Sequence, residues 1–275
     1  MPTPARLSPE ERVDRAYRLM EERFDRVVSG HPFMRQLGAG TLPRETLQGF
    51  VVSWYGYTRS NTTYVGEAYR RFKAFYKLHS DVEAVVADRI GDRLMHPTRG
   101  GHPRTLETLG LALGIARDDL IRARLSFEAR VIQDFAVRLW VEGTFVEMWA
   151  GQCFEGKFND WSQRIRSALT SRYGVKPEQV GFFNLDHDAP VIRTEDGGLL
   201  SRSEADRWLI RRGLELGLDD ETPGLGIEYC AVLPCENLRL LLDGVLKHYQ
   251  AGPAFDLVHP VLTKYETYQT FKATA

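Results

Sequence analysis

The chain has 275 residues, 43% of them hydrophobic, enough for a sizeable core in a single domain. Its 36 Lys and Arg against 37 Asp and Glu leave a formal charge of -1, with arginines scattered among acids, so neither nucleic acid nor a membrane is expected as a partner. Three cysteines, Cys153, Cys230 and Cys235, are too few for a disulfide framework and read as small buried hydrophobes.

The N-terminal segment runs into charged helix without an apolar core, so no secretory leader is expected and the setting is cytoplasmic. In SPEERVDRAYRLMEERFDRVV, Ser8 suits an N-cap and Pro9 the first helical position. Val13, Tyr17, Met20, Phe24 and Val27 then recur every three or four residues as one apolar stripe. Gly30 ends this helix, and His31-Pro32 opens a short turn or helix. Thr41 as cap and Pro43 near the first turn start a helix too apolar over 50–57 to lie on a surface. SDVEAVVADRIGDRLM is a further helix, broken by HPTRGGH, and HPRTLETLGLALGI is helical with a glycine-marked end. The 59 residues from Ala116 to Gly174 exceed the usual helix length, so three helices are predicted there. Gly143, Gly151 and Gly156 mark bends or close contacts. VKPEQVGFFNLD reads as a capped short helix entering a longer one, and TEDGGLLSRSEADRW as an inserted loop near 190–204. Late helices follow in LLSRSEADRWLIRRGLELGL and CENLRLLLDGVLKHYQ, separated by the loop DDETPGLGIEYCAVLP.

Almost every segment carries the helical period, so the expected fold class is all-α, one multi-helical bundle over residues 1–275. No GxGxxG, GxxxxGK[ST] or GxSxG is present, which disfavours the standard nucleotide-binding devices and the hydrolase elbow.

GHPFMRQLGAGTLPRETLQGFVVSWYGYT (30–58), HPRTLETLGLALGI (102–115) and FEGKFNDWSQRIRSALTSRYGVKPEQVGFFNLD (154–186) together resemble the superfamily of thiaminase II and pyrroloquinoline-quinone synthase. The resemblance spans roughly residues 8–190 and implies the haem-oxygenase-like fold, a helical bundle around a central pocket. It also implies small-molecule chemistry of several kinds: thiamine-fragment hydrolysis or salvage, metal-free oxidation by dioxygen, or non-haem diiron oxidation.

The diiron branch carries a carboxylate, a carboxylate with a histidine, a helix glutamate and a closing His-x-x-x-Asp-x-x-His. By that resemblance Glu67 supplies the first carboxylate, Asp92 and His102 the pair, and Glu155 the helix glutamate. The closing motif is incomplete: counted from Asn184 it keeps Asp188 but needs a histidine at Val191, and counted from Asp186 it meets Pro190 and Arg193. Asp186 and Asp188, about 200° apart on an ideal helix, remain as candidate ligands beside His187. The bland alternatives are a solvated Asp92, a Glu155 satisfied by Arg164 or a tyrosine, and a His102 that caps PRTLE.

Thiamine hydrolysis is disfavoured, because VVSWYGYTRSN lacks a carboxylate and Cys153 has no histidine near it in sequence to lower its pKa. A quinone-synthase-like pocket would be lined by His31, Trp54, Tyr55, Tyr57, Tyr64 and His102, although SWYGYT lacks the arginine that branch carries. The resulting expectation is an oxidoreductase that uses dioxygen on a small organic biosynthetic substrate, with His102, Glu155 and Tyr57 as catalytic residues. Non-haem iron and metal-free operation both stay open, as does pairing into a homodimer. The rival expectation is a non-catalytic binding or assembly protein, which an aromatic-filled, collapsed pocket would favour.

Overall fold

Ser8 and Glu11 form a reciprocal capping box, with Glu11 N–H donating to Ser8 Oγ at 3.2 Å and Ser8 N–H to Glu11 Oε2 at 2.8 Å. This box starts α1 (Pro9–Phe24). The computed structural model describes residues 7–59, 66–67, 69–95, 101–184, 190–219 and 225–249. Val13, Tyr17, Met20 and Phe24 are buried as the stripe requires, but the helix then widens into a π turn over Asp25–Ser29. The widened turn shifts the register by one residue, so Val28 is buried in place of the predicted Val27, which is half-buried.

His31 caps α2 (Pro32–Ala39), and α3 (Arg44–Arg59) is buried without a break from Gly49 to Thr58. After α4 (Lys73–Tyr76) come α5 (Ser80–Met95), α6 (Gly101–Ala112) and α7 (Arg117–Arg122). The long run from 116 holds more pieces than the three predicted. They are α7, α8 (Phe127–Glu142), α9 (Phe145–Ala150) and α10 (Phe158–Arg172), with a 3-10 turn at Cys153–Lys157. Capping explains the extra breaks: Ser126 and Thr144 accept from the third residue of α8 and α9, and Gly143 and Gly151 close those same helices.

Three further expectations change. VKPEQVGFFN forms two 3-10 turns, Pro177–Gln179 and Gly181–Asn184, instead of a short helix entering a longer one. The stretch read as a loop holds a hairpin in which β1 (Ile192–Arg193) pairs antiparallel with β2 (Leu199–Leu200), and Ser201 then caps α11 (Arg202–Glu215). The last helix, α12 (Ile227–His248), starts eight residues before CENLRL because Pro234 is accommodated inside it.

α12 runs through the middle of the assembly and packs on α1, α3, α8 and α9. α3 packs on α6, α2 on α10, and α11 on α5 and α9. Gly213 lets α11 approach α9, since a Cβ there would stand 2.7 Å from Val146 Cγ1. Around α3 and α10 the interior is aromatic: Phe50, Trp54, Phe158, Trp161, Phe182 and Phe183 meet with centroids about 5–6.5 Å apart, mostly edge to face. Among the described residues no helix is long and apolar enough to cross a membrane.

Candidate active site

On α5 the apolar stripe Val82, Val85, Val86 continues at the same spacing as Arg89 and Arg93, both buried. Charges that prolong a core-facing stripe must be paired. Arg89 forms a two-pronged bond to Asp206 on α11, each prong 2.9 Å long, and reaches Glu155 Oε2 at 2.5 Å. Arg93 donates to Glu155 Oε1 and to Gln152 Oε1, both at 2.6 Å. Arg202, the first residue of α11, holds both oxygens of Asp92 at 2.6 and 2.7 Å. Three guanidiniums thus meet three carboxylates inside the bundle, with Arg89, Arg202 and Asp206 each no more than 1% exposed.

The charge states follow from this pairing. Burial raises the Asp92 carboxyl, but the hydrogen bonds and charge of Arg202, then the charge of Arg89, outweigh it and hold Asp92 below its ordinary range. Burial alone would lower Arg89, yet Asp206 and Glu155 push it well above its ordinary value. At Asp206 burial pushes up and Arg89 pulls down, and the parallel bonds fix the pair as guanidinium and carboxylate.

Against this network lies a cavity of about 30 Å³, lined by Arg93, Glu155, His102, Tyr57, Thr58 and Ser162 and walled by Trp54, Phe154, Phe158, Trp161 and Phe182. His102 sits in the first turn of α6, its ring edge-on to Phe182 at 5.8 Å, and its carbonyl accepts from Thr105 Oγ1 at 2.8 Å. Tyr57 is buried edge-on to Trp54 at 5.7 Å. Glu155 stands on the 3-10 turn, not on an α-helix as its place in the sequence suggested, and its partners are Arg89 and Arg93 instead of Arg164, which donates to Ser29 O.

Of the residues singled out from sequence, His102, Glu155, Tyr57 and Trp54 therefore converge on one cavity. His31 and Tyr55 do not line it. His31 caps α2 through Nδ1, which accepts from Phe33 N–H at 3.1 Å, and its Nε2 stands 3.0 Å from Asp243 Oδ1. Tyr55 donates to Glu107 Oε1 at 3.3 Å, and burial followed by Glu107 raises its pKa. Asp92 sits behind the cavity, on Arg202. Glu67 pairs with its neighbour Arg70 on the surface. Tyr64, Asp186, His187 and Asp188 lie outside the described residues.

The geometry does not suit iron at the proposed ligands that are described. Both oxygens of Asp92 and both of Glu155 already accept from guanidiniums, which place positive charge where a cation would stand. Among the described residues no group of three or more His, Cys, Asp or Glu is placed to hold a metal. Cys153 is no nucleophile either, because burial, then Asp206, pushes its thiol well above the ordinary range.

Residues 18–153 match the TENA/THI-4/PQQC family. A domain of unknown function with a haem oxygenase-like fold from Shewanella denitrificans OS217 superposes with a TM-score of 0.54 at 16% identity, over 84% of this chain and 90% of that one. A TenA homolog from Pseudomonas syringae pv. tomato DC3000 superposes with a TM-score of 0.62 at 11% identity, over 85% and 92%. No curated protein matches the sequence. Residues 18–153 thus carry the likeness to the TENA/THI-4/PQQC family, and the fold is haem-oxygenase-like.

Proposed function

We propose that the protein is an enzyme of small-molecule biosynthesis that holds a compact organic substrate in the cavity at His102, Glu155 and Arg93 and oxidises it with dioxygen. The carrying observation is that Arg93, Glu155 and His102 line one buried cavity together with the aromatic side chains Trp54, Phe154, Phe158, Trp161 and Phe182. The family match over residues 18–153 supports the biosynthetic role. The oxidative step rests on the sequence resemblance.

No step is routed through iron, for the reason given by the arginine pairing. The substrate itself supplies the electrons: two electrons and two protons pass to dioxygen, giving the oxidised organic product and hydrogen peroxide. His102 takes the substrate proton, a role that suits an imidazole near neutral pH. Tyr57 presents a phenolic donor and a ring face to the substrate. Glu155 is a positioning residue, since both its oxygens are engaged, and it holds the Arg93 guanidinium at the cavity wall. Arg93 Nε, buried and without a partner among the described residues, is left as a donor for a substrate oxygen or nitrogen.

The small cavity favours a second reading. About 30 Å³ holds roughly one water, so the aromatic walls must yield before any substrate enters. A non-catalytic binding or assembly protein would need no such opening. Oxygen uptake separates the two. With hydroquinones, catechols and aminophenols as probes, an enzyme consumes dioxygen and releases an equal amount of peroxide, and does so far less in His102→Ala. Uptake equal to the buffer rate for every probe favours the binding role.

A further inference from the structure

Two spaces in the molecule share one wall. The outer one is a groove of about 720 Å³ between the π turn Asp25–Ser29, α2 and α10. Its floor is buried and largely apolar, with Met34, Leu37 and Ala168 beside Trp161, while Gly38, Arg164 and Arg172 on its rim are exposed. The inner space is the cavity at His102 and Glu155. Trp161 lines both and is itself 1% exposed.

We infer that Trp161 is the access residue of the cavity: ligands arrive along the groove, and the indole decides which sizes pass. The inference takes the cavity as the ligand site and so rests on the proposed function. The walls differ in how firmly they are held. Arg93 and Glu155 are fixed by charge-assisted bonds. Trp161 is held by ring contacts: stacked on Phe158 at 5.4 Å and edge-on to Phe24 and Phe50. Its indole N–H is buried and has no partner among the described residues. A buried donor left unsatisfied is costly, so a rotation that lets it meet water or a passing acceptor offsets part of the lost ring contact. Above it, Lys157 to Asp25 at 3.1 Å and Arg164 to Ser29 O at 3.3 Å tie α10 and the turn before it to the π turn and frame the groove. A π turn in such a place is a usual mark of a working site.

A buried thiol reports access without any substrate. Ser162, on the cavity wall and 3% exposed, is replaced as Ser162→Cys and treated with methyl methanethiosulfonate. The unmodified chain gives the baseline, since its own three cysteines are buried. Adding Trp161→Ala is expected to raise the labelling rate at least tenfold, and Trp161→Phe by a smaller factor. Adding Gly38→Trp to the Trp161→Ala chain is expected to slow it again at least threefold. A Cβ at Gly38 has nothing within 4 Å, so the new ring occupies the groove without a backbone clash. A rate unmoved by both Trp161 variants, at an unchanged Tm, overturns the inference. So does a faster rate that Gly38→Trp leaves untouched, because the thiol is then reached from elsewhere. Absence of oxygen uptake would sink the proposed activity and leave these rates as they are.

Discussion

Arg93 Nη2 stands 2.6 Å from Glu155 Oε1, while Arg89 Nη2 takes the other oxygen of the same carboxylate at 2.5 Å. Glu155 is thus the shared counter-charge of two buried guanidiniums. Removing it leaves both short of a partner. Glu155→Ala is expected to cost about 3–5 kcal/mol in urea unfolding, the usual result of breaking a buried ion pair. Glu155→Ala combined with Arg93→Met should cost less than the sum of the single changes, because the two residues share one network. A single-variant loss under about 1 kcal/mol would show that the network is not holding the bundle.

The catalytic assignment separates from stability at His102. His102→Ala is expected to lower dioxygen uptake by about 10²–10⁴-fold, the range for loss of a general base. Tyr57→Phe keeps the ring beside Trp54 and removes only the hydroxyl, so a smaller loss is expected. Equal uptake in all three chains, at matched substrate, would remove these residues from the chemistry.

His31 carries a pH dependence whose sign is fixed by its geometry. Its Nδ1 accepts the Phe33 N–H, so the cap needs the neutral ring. Burial lowers its pKa below 6.5, against the opposing pull of Asp243. A base with a depressed folded pKa binds more protons when unfolded. Its contribution is therefore complete above about pH 6.5 and is lost as pH falls from there to the folded pKa. His31→Asn, which keeps a capping acceptor, should flatten this part of a Tm-versus-pH curve. An unchanged slope between pH 5 and 7 would assign the dependence to another group.

Much of the fold was legible because periodicity reports burial. The α1 stripe, the apolar run of α3 and the whole of α5 are where spacing places them. The short breaks at Gly143-Thr144 and Gly151 were harder, since a cap is a local hydrogen-bond choice inside a continuous apolar run. His102, Glu155, Tyr57 and Trp54 were found by type and resemblance, but their surroundings were not. Arg89 and Arg93 lie in a segment whose pattern gave a helix and no role for either arginine. The signal available was their register: they continue the Val82, Val85, Val86 stripe into the core. Asp206, the partner of Arg89, and Arg202, the partner of Asp92, lie 117 and 110 residues away along the chain, pairings no single-sequence pattern discloses.

Close packing at α3 gives a check on the placement of the chain after α12. A Cβ on Gly49 would fall inside van der Waals contact with the ring of Tyr249, whose carbonyl accepts from Thr46 Oγ1 at 3.0 Å. Gly49→Ala is expected to destabilise by about 1–3 kcal/mol, as overpacked cores do. Gly49→Ala with Tyr249→Ala should recover part of the overpacking term. A neutral Gly49→Ala would mean that Tyr249 does not rest there.

The most direct measurement is anaerobic titration of Fe²⁺ into chelator-free protein, followed by calorimetry and metal analysis. Because guanidiniums occupy the oxygens of Asp92 and Glu155, no saturable iron binding is expected, and protein from iron-supplemented cells should contain almost none. Binding of about two irons per chain, abolished in Glu155→Gln, would contradict a substrate-driven oxidation and place a diiron centre in the cavity instead.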